Sequence, residues 1–250
     1  MITRKNAEQL ALMRRAGAVV AEMHERCIRA AVPGATTLEV DAVARDVLAK
    51  RGARSNFLGY HGFPAVVCTS PNDVIVHGIP SAEVVLHEGD ILTIDCGAII
   101  EGWHGDAAVT VPIGEVDDES TRLMDITRAS LEAAIEQVVE GRRLGDVGAA
   151  VEGIAERAGF SVVREYVGHG IGTAMHEDPN VPNYGPAGRG MKLKEGHVLA
   201  IEPMVNAGTA ETEVLDDGWT VVTADGRRSA HFEHTIAVTD HGPEVLTLPR

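Results

Sequence analysis

The sequence predicts an α+β fold in which helix pairs cover a mostly antiparallel sheet, arranged as two halves related by a pseudo-twofold axis. Two observations predict it. The first is an internal echo: residues 86–95 (LHEGDILTID) and 193–202 (LKEGHVLAIE) share the pattern L-x-E-G-x-[IV]-L-x-I-[DE] at an offset of 107 residues. At the same offset Val40–Gly52 aligns with Val147–Gly159, and two shorter echoes keep the order: His77-Gly-Ile79 with His169-Gly-Ile171, and His104-Gly-Asp106 with His231-Phe-Glu233. Self-similarity of this kind marks a repeated structural unit. The second is the alternation of patterns, since helical periods arrive in pairs and strand patterns arrive as hairpins.

In chain order, Lys5 to about Ala31 repeats apolar residues at helical spacing. Thr37 is the expected cap of a second helix, which Gly52 ends. Strand patterns follow at Ala65–Ser70, Asp90–Ile100 and Gly105–Pro112, the last two joined by a turn at Glu101-Gly102. The second helix pair is expected from Asp118 to about Glu140 and from Leu144 to Ala158, closed by Gly141 and Gly159. Further strands are expected at Phe160–Glu165, His197–Pro203, Trp219–Thr223 and Phe232–Thr239. No linker or low-complexity segment divides the chain, so residues 1–250 are expected to form one domain with halves of about 1–115 and 116–250.

Composition narrows the function. Of 250 residues, 44% are hydrophobic and 24% charged, which suits a globular core rather than disorder. Lys plus Arg number 22 against 37 Asp plus Glu, and a net charge of −15 is a poor match to phosphate backbones, so nucleic acid is not an expected substrate. Cys27, Cys68 and Cys96 form no CxxC pair, in keeping with a reducing compartment. The charged start MITRKNAEQLALMRRAG is not a secretory signal, and no apolar run approaches the ~18 residues of a membrane span. The expected location is cytoplasmic.

Two aspartates stand where strands disfavour them, Asp95 inside ILTIDCGAII and Asp106 inside GDAAVTV. With the turn at Glu101-Gly102, Ile100 faces Trp103 and Asp95 faces Ala108, which makes Asp95 and Asp106 diagonal neighbours on one face. No Lys or Arg lies nearby in sequence, and converging buried carboxylates require a cation. The pseudo-twofold pairs Glu202 with Asp95 and Glu233 with Asp106. His169, in the turn GHGIG, adds an imidazole, and five N/O ligands suit two divalent ions. HEDPN at His176 is not an HExxH zinc motif, and neither a G-x-S-x-G elbow nor a phosphate-binding glycine loop is present. Metal-assisted hydrolysis remains.

NDVIVHGIP, IDCGAIIEGWHGDAAVT, GHGIGTAMHEDP, AIEPM and SAHFEHT, in this order, resemble the motifs of the type I methionine aminopeptidases, metalloenzymes with the pita-bread fold. The resemblance runs from the first helix to the last strand. It implies that Asp95, Asp106, His169, Glu202 and Glu233 bind two divalent ions, drawn from Co, Mn, Fe, Zn or Ni, with Asp106 and Glu233 bridging them. It implies that His77 and His176 are not ligands but contact the scissile amide; Glu202 is the best candidate for moving the proton. Only 26 residues separate His176 from Glu202, too few for the helical insert of the type II enzymes. The implied reaction is removal of the N-terminal methionine of nascent polypeptides when the second residue is small. The chain is expected to be a monomer, with the ribosome a candidate partner.

Tyr60, Phe63, Cys68, Met175 and Trp219 are the candidate walls of a methionine pocket, together with His77 and His176. Met175 and His231 depart from the residues common in the family, an aromatic and a glutamine. Two alternatives stay open at this point: an Xaa-Pro or broader dimetal peptidase on the same scaffold, and a non-catalytic peptide-binding module.

Overall fold

The computed structural model describes residues 2–249, and the element order follows the sequence closely. Helix α1 (Ala7–Ala30) is capped by Asn6, whose side chain accepts from the Gln9 amide while the Gln9 side chain returns a bond to Asn6 N–H. Helix α2 (Thr37–Arg51) ends in αL at Gly52, but its cap is Thr36 rather than Thr37. The reason is spacing. Only Thr36 has Glu39 three residues on to close a capping box, and the Thr37 hydroxyl donates instead to the Ser81 carbonyl.

Helix α3 (Asp118–Ile135) is shorter than expected, because residues 136–142 leave the helix through short-range turns and Gly141 N–H bonds to Leu193 O. Helix α4 (Leu144–Arg157) packs against α3.

Every strand pair among the described residues is antiparallel. The hairpin Ile91–Ile100 with Trp103–Pro112 has the expected register, with Ile100 opposite Trp103 and Asp95 opposite Ala108. Its first strand also pairs with Val67–Pro71, which sets Cys68 opposite Asp95. A second, five-stranded sheet runs Gly242–Val245, His234–Thr239, Val198–Ile201, Gly168–Gly170 and Glu177–Val181. The strand expected over Phe232–Thr239 is broken, because Ser229–His231 pairs with Met204–Asn206 while His234–Thr239 pairs with Val198–Ile201. The regular strand expected from Trp219 begins at Val221, since Asp217 holds the Trp219 and Thr220 amides in a turn. Between Phe160 and Glu165 only Ser161–Val162 is laddered.

Each helix pair buries its apolar stripe on a sheet, giving one core around α1, α2 and the hairpin and another around α3, α4 and the second sheet. Burial of such surface is the main stabilising term. Helix α1 crosses the hairpin where Gly17 and Gly105 meet, and a Cβ on Gly17 would sit 2.1 Å from the Leu246 carbonyl oxygen. No helix among the described residues is long and apolar enough to cross a membrane.

Candidate active site

The two sheets meet at the carboxylates. Glu233 occupies the break between its two strands, and its backbone exchanges hydrogen bonds with Ala108 (2.8 and 3.3 Å). One pair along, the Asp106 amide donates to Thr235 Oγ1 (3.0 Å) and the Thr235 hydroxyl donates to the Asp106 carbonyl (2.8 Å). Thr110 completes the seam, donating to the His231 carbonyl (2.9 Å) and accepting from its amide (2.8 Å). The strand break is therefore what turns Glu233 toward Asp106. Glu202 follows strand Val198–Ile201, and its carbonyl accepts from Asn183 Nδ2 at 3.0 Å.

His169 lies on the short strand Gly168–Gly170 opposite Ala200. The flanking glycines are required by close approach, since a Cβ on Gly170 would stand 2.2 Å from the Asp178 carbonyl oxygen. His169 Nδ1 donates to the Gly170 carbonyl (2.9 Å), which leaves the Nε2 lone pair facing Glu202 Oε1 at 3.6 Å. Burial drives its pKa down to about 4, so the ring is neutral and able to ligate.

One ligand atom from each of Asp106, His169 and Glu233 lies within 4.8 Å of the other two. Asp95 and Glu202 line the same cavity. Asp95 Oδ1, Asp106 Oδ1 and Glu233 Oε1 are buried acceptors with no hydrogen-bond partner. Such atoms cost roughly 1–3 kcal/mol each when left unsatisfied. Burial lifts Asp95 to about 7 and raises Asp106, Glu202 and Glu233 well above the usual carboxylate range, with mutual repulsion adding to burial at the last three. Among the described residues, no Lys or Arg pairs with this cluster, and the nearest nitrogens are those of the neutral imidazoles of His169 and His231, 3.6 and 3.7 Å from Glu202. Four acidic groups, three of them with orphaned oxygens, and the His169 Nε2 nitrogen fit hard or borderline divalent cations.

His77 and His176 border the same cavity. The His77 backbone is held at φ 62°, an unusual conformation for a residue with a Cβ. Its ring stands edge-on to Trp219 at 6.3 Å, and burial followed by the His176 charge lowers its pKa to about 4. His176 shares a 2.7 Å hydrogen bond between Nδ1 and Tyr60 Oη and packs edge-on against His169 at 4.3 Å.

The remaining wall is apolar: Tyr60, Phe63, Cys68, Met175 and Trp219, joined by Phe57. Phe63 and Trp219 pack edge to face at 5.2 Å. Phe57 was not singled out from the sequence. The signal was its place in the aromatic-rich run 57–63, which forms a turn stabilised by Ser55 Oγ and the 3₁₀ residues Tyr60–Gly62. The cavity holds about 120 Å3, a little less than the roughly 150 Å3 that admits benzene in an engineered core. That space suits one unbranched side chain. His231, one of the two departures, stands just behind the cavity with both ring nitrogens unpaired and Nε2 3.7 Å from Glu202 Oε2.

Comparison with known proteins agrees with this geometry. The family model "Metallopeptidase family M24" matches residues 11–240. A methionine aminopeptidase of Clostridium acetobutylicum is 50% identical over 248 residues, covering 99% of both chains. Methionine aminopeptidase 1 of Mycobacterium tuberculosis is 50% identical over 254 residues, covering 99% of this chain and 96% of its own. The crystal structure of methionine aminopeptidase from Thermotoga maritima superposes with a TM-score of 0.98 at 44% identity, over 99% of this chain and 100% of that one. The prolidase of Pyrococcus horikoshii, 20% identical with a TM-score of 0.79, shares the fold over only 64% of its own length. With its family model spanning nearly the whole sequence and relatives half identical from end to end, this chain belongs to metallopeptidase family M24.

Proposed function

We propose that this chain is a methionyl aminopeptidase, a hydrolase that removes the initiator methionine from new polypeptides whose second residue is small. The observation that carries the reading is one cavity in which Asp95, Asp106, His169, Glu202 and Glu233, with His77 and His176 beside them, face an apolar wall. The end-to-end similarity to proteins named methionine aminopeptidase supports the same reading over the Xaa-Pro alternative. Asp95, Asp106, His169, Glu202 and Glu233 would hold two divalent ions. Those ions would supply Lewis-acid polarisation of the scissile carbonyl and a water-derived nucleophile at neutral pH.

The chain's own residues do the rest. Phe57, Phe63, Met175 and Trp219 bury the methionine side chain, worth roughly 0.8 kcal/mol per CH₂. With the Tyr60 hydroxyl donating to His176 Nδ1, His176 Nε2–H is left to donate to the scissile amide carbonyl, and His77 flanks the same amide. Both rings are neutral, so they polarise without adding charge. Glu202 Oε relays the proton from the attacking water to the leaving amine. The enzyme works as a single catalytic domain of residues 1–250, built of halves 1–115 and 116–250, and as a monomer in the cytoplasm where new chains emerge, the ribosome being a candidate partner.

Methionine release from Met-Ala-Ser, Met-Leu-Ser and Xaa-Pro peptides by metal-reconstituted protein tests this. Met-Ala-Ser is expected to be cleaved and the others to fail. Equal rates for Met-Ala-Ser and Met-Leu-Ser, or faster cleavage of Xaa-Pro peptides, overturns the methionine reading.

A further inference from the structure

The loop Gly172–Glu177 carries both Met175 and His176, and the carboxylate that shapes it belongs to Glu177. Glu177 Oε1 accepts from the amides of Thr173 (2.8 Å) and Ala174 (3.4 Å), while Oε2 accepts from Thr3 Oγ1 (3.0 Å) and Lys5 Nζ (2.7 Å). Lys5 Nζ also donates to Thr3 Oγ1 at 2.7 Å. The Lys5 side chain is only 4% exposed, unusual for an ammonium group that no active-site reading uses. Its backbone is fixed as well, since Lys5 N–H donates to Gly196 O at 2.7 Å. The fit is tight at Gly172, where a Cβ would stand 2.5 Å from Glu177 Oε1 and 2.6 Å from Lys5 Cε. Residues 3–5 precede the stretch that the family model matches.

We infer that the segment Thr3–Lys5 is a strap that locks the His176 loop through the Lys5–Glu177 ion pair, making Lys5 a positioning residue for the reaction. It touches neither cavity nor substrate. Lys5 and Thr3 hold one oxygen of Glu177 so that the other can hold the loop amides, and the loop then presents His176 to Tyr60 and the cavity. Misplacing a catalytic group by about 1 Å can cost on the order of a hundredfold in rate, so a strap outside the cavity has leverage on turnover. The inference rests on the proposed aminopeptidase activity for its kinetic consequence and on the geometry alone for its structural one.

The experiment compares Lys5→Met, Lys5→Arg, Glu177→Gln and the double variant Lys5→Met/Glu177→Gln in the full-length, metal-reconstituted protein. Lys5→Met is expected to lower kcat on Met-Ala-Ser about tenfold or more with KM within threefold. Mn(II) affinity of its metal-free form, measured by calorimetry, is expected to stay within threefold. Lys5→Arg should recover kcat to within threefold of wild type, and the double variant should be no slower than Lys5→Met, because both act through one contact. Hydrogen exchange at the Thr173 and Ala174 amides should quicken at least tenfold in Lys5→Met. A wild-type kcat in Lys5→Met, a loss of Mn(II) affinity in step with kcat, failure of Lys5→Arg to rescue, or unchanged exchange at the two amides each overturns the strap. Should Lys5→Met fail to fold, Glu177→Gln carries the test: it keeps the loop's acceptor and loses the ion pair, and an unchanged kcat in it is equally decisive. An inactive wild type whose loop amides open on Lys5→Met would remove the aminopeptidase reading and leave the strap standing.

Discussion

Removing the metal should invert the usual effect of alkali on this fold, and Asp95→Asn isolates the cause. Asp95 has a folded pKa raised to about 7 by burial, against about 3.9 for an unfolded chain. A carboxyl raised on folding contributes its stability below the unfolded pKa and loses it as pH climbs through the folded one. Between pH 5.5 and 8 the loss integrates to about 2 kcal/mol for Asp95. At about 2–4 °C per kcal/mol for a chain of this size, that is a fall of about 4–8 °C in Tm. Asp106, Glu202 and Glu233 are raised too and deepen the fall. The assay is thermal melting of chelator-treated wild type and Asp95→Asn across that range. The gap should widen in favour of Asp95→Asn as pH rises, and saturating divalent metal should restore wild type, by about 2.7 kcal/mol at a hundredfold excess over Kd. A gap that stays constant with pH, or narrows, refutes the view that ionised Asp95 is held against its burial until a cation arrives.

Asp106→Asn and Glu233→Gln should each lose divalent-metal affinity and turnover together, at least a hundredfold in both, read by calorimetry and methionine release; two tightly held ions in either variant would remove that residue from the ligand set. His77→Ala and His176→Ala should lower kcat by one to two orders of magnitude with metal content near wild type by elemental analysis, and loss of metal in His176→Ala would make that residue a ligand instead. Norleucine at the first substrate position, which lacks only the sulfur, should be cleaved within about tenfold of methionine if the apolar wall of Phe63, Met175 and Trp219 reads shape and apolarity. A preference far beyond that in competition assays would point to specific recognition of the thioether.

Much of the site was legible because its residues break local rules. Asp95 and Asp106 contradict strand propensity, and the short turn at Glu101-Gly102 fixes the hairpin register, so their shared face follows by counting. Glu202 and Glu233 followed from the repeat. The break before His234 was not legible, because SAHFEHTIAV alternates as one strand would and the interruption is imposed from outside, by Ala108 and Thr110 claiming the backbone of Glu233 and His231. Thr36 and Thr37 are equal as cap residues by type, and Glu39 decides between them only when the reciprocal bond is considered. Phe57 reads as one more core aromatic until residues 57–63 curl into a turn beside the cavity. Lys5 gave no signal, since a lysine ahead of a helix is ordinary until its burial against Glu177 is seen.

The seam that joins Asp106 to Thr235 links residues 129 positions apart in sequence. Contacts of such separation bear the full cost of loop closure and form after local hairpins and helices. The hairpin Ile91–Pro112 needs only its own turn, but Glu233 reaches Ala108 only when the C-terminal strand has been made and docked. During synthesis that strand leaves the ribosome among the last, so a partly made chain carries Asp95 and Asp106 as an incomplete pair with nothing opposite. The carboxylate cluster is thereby completed only at the end of folding, and a chain truncated before Glu233 would hold its first sheet with the cluster unfinished.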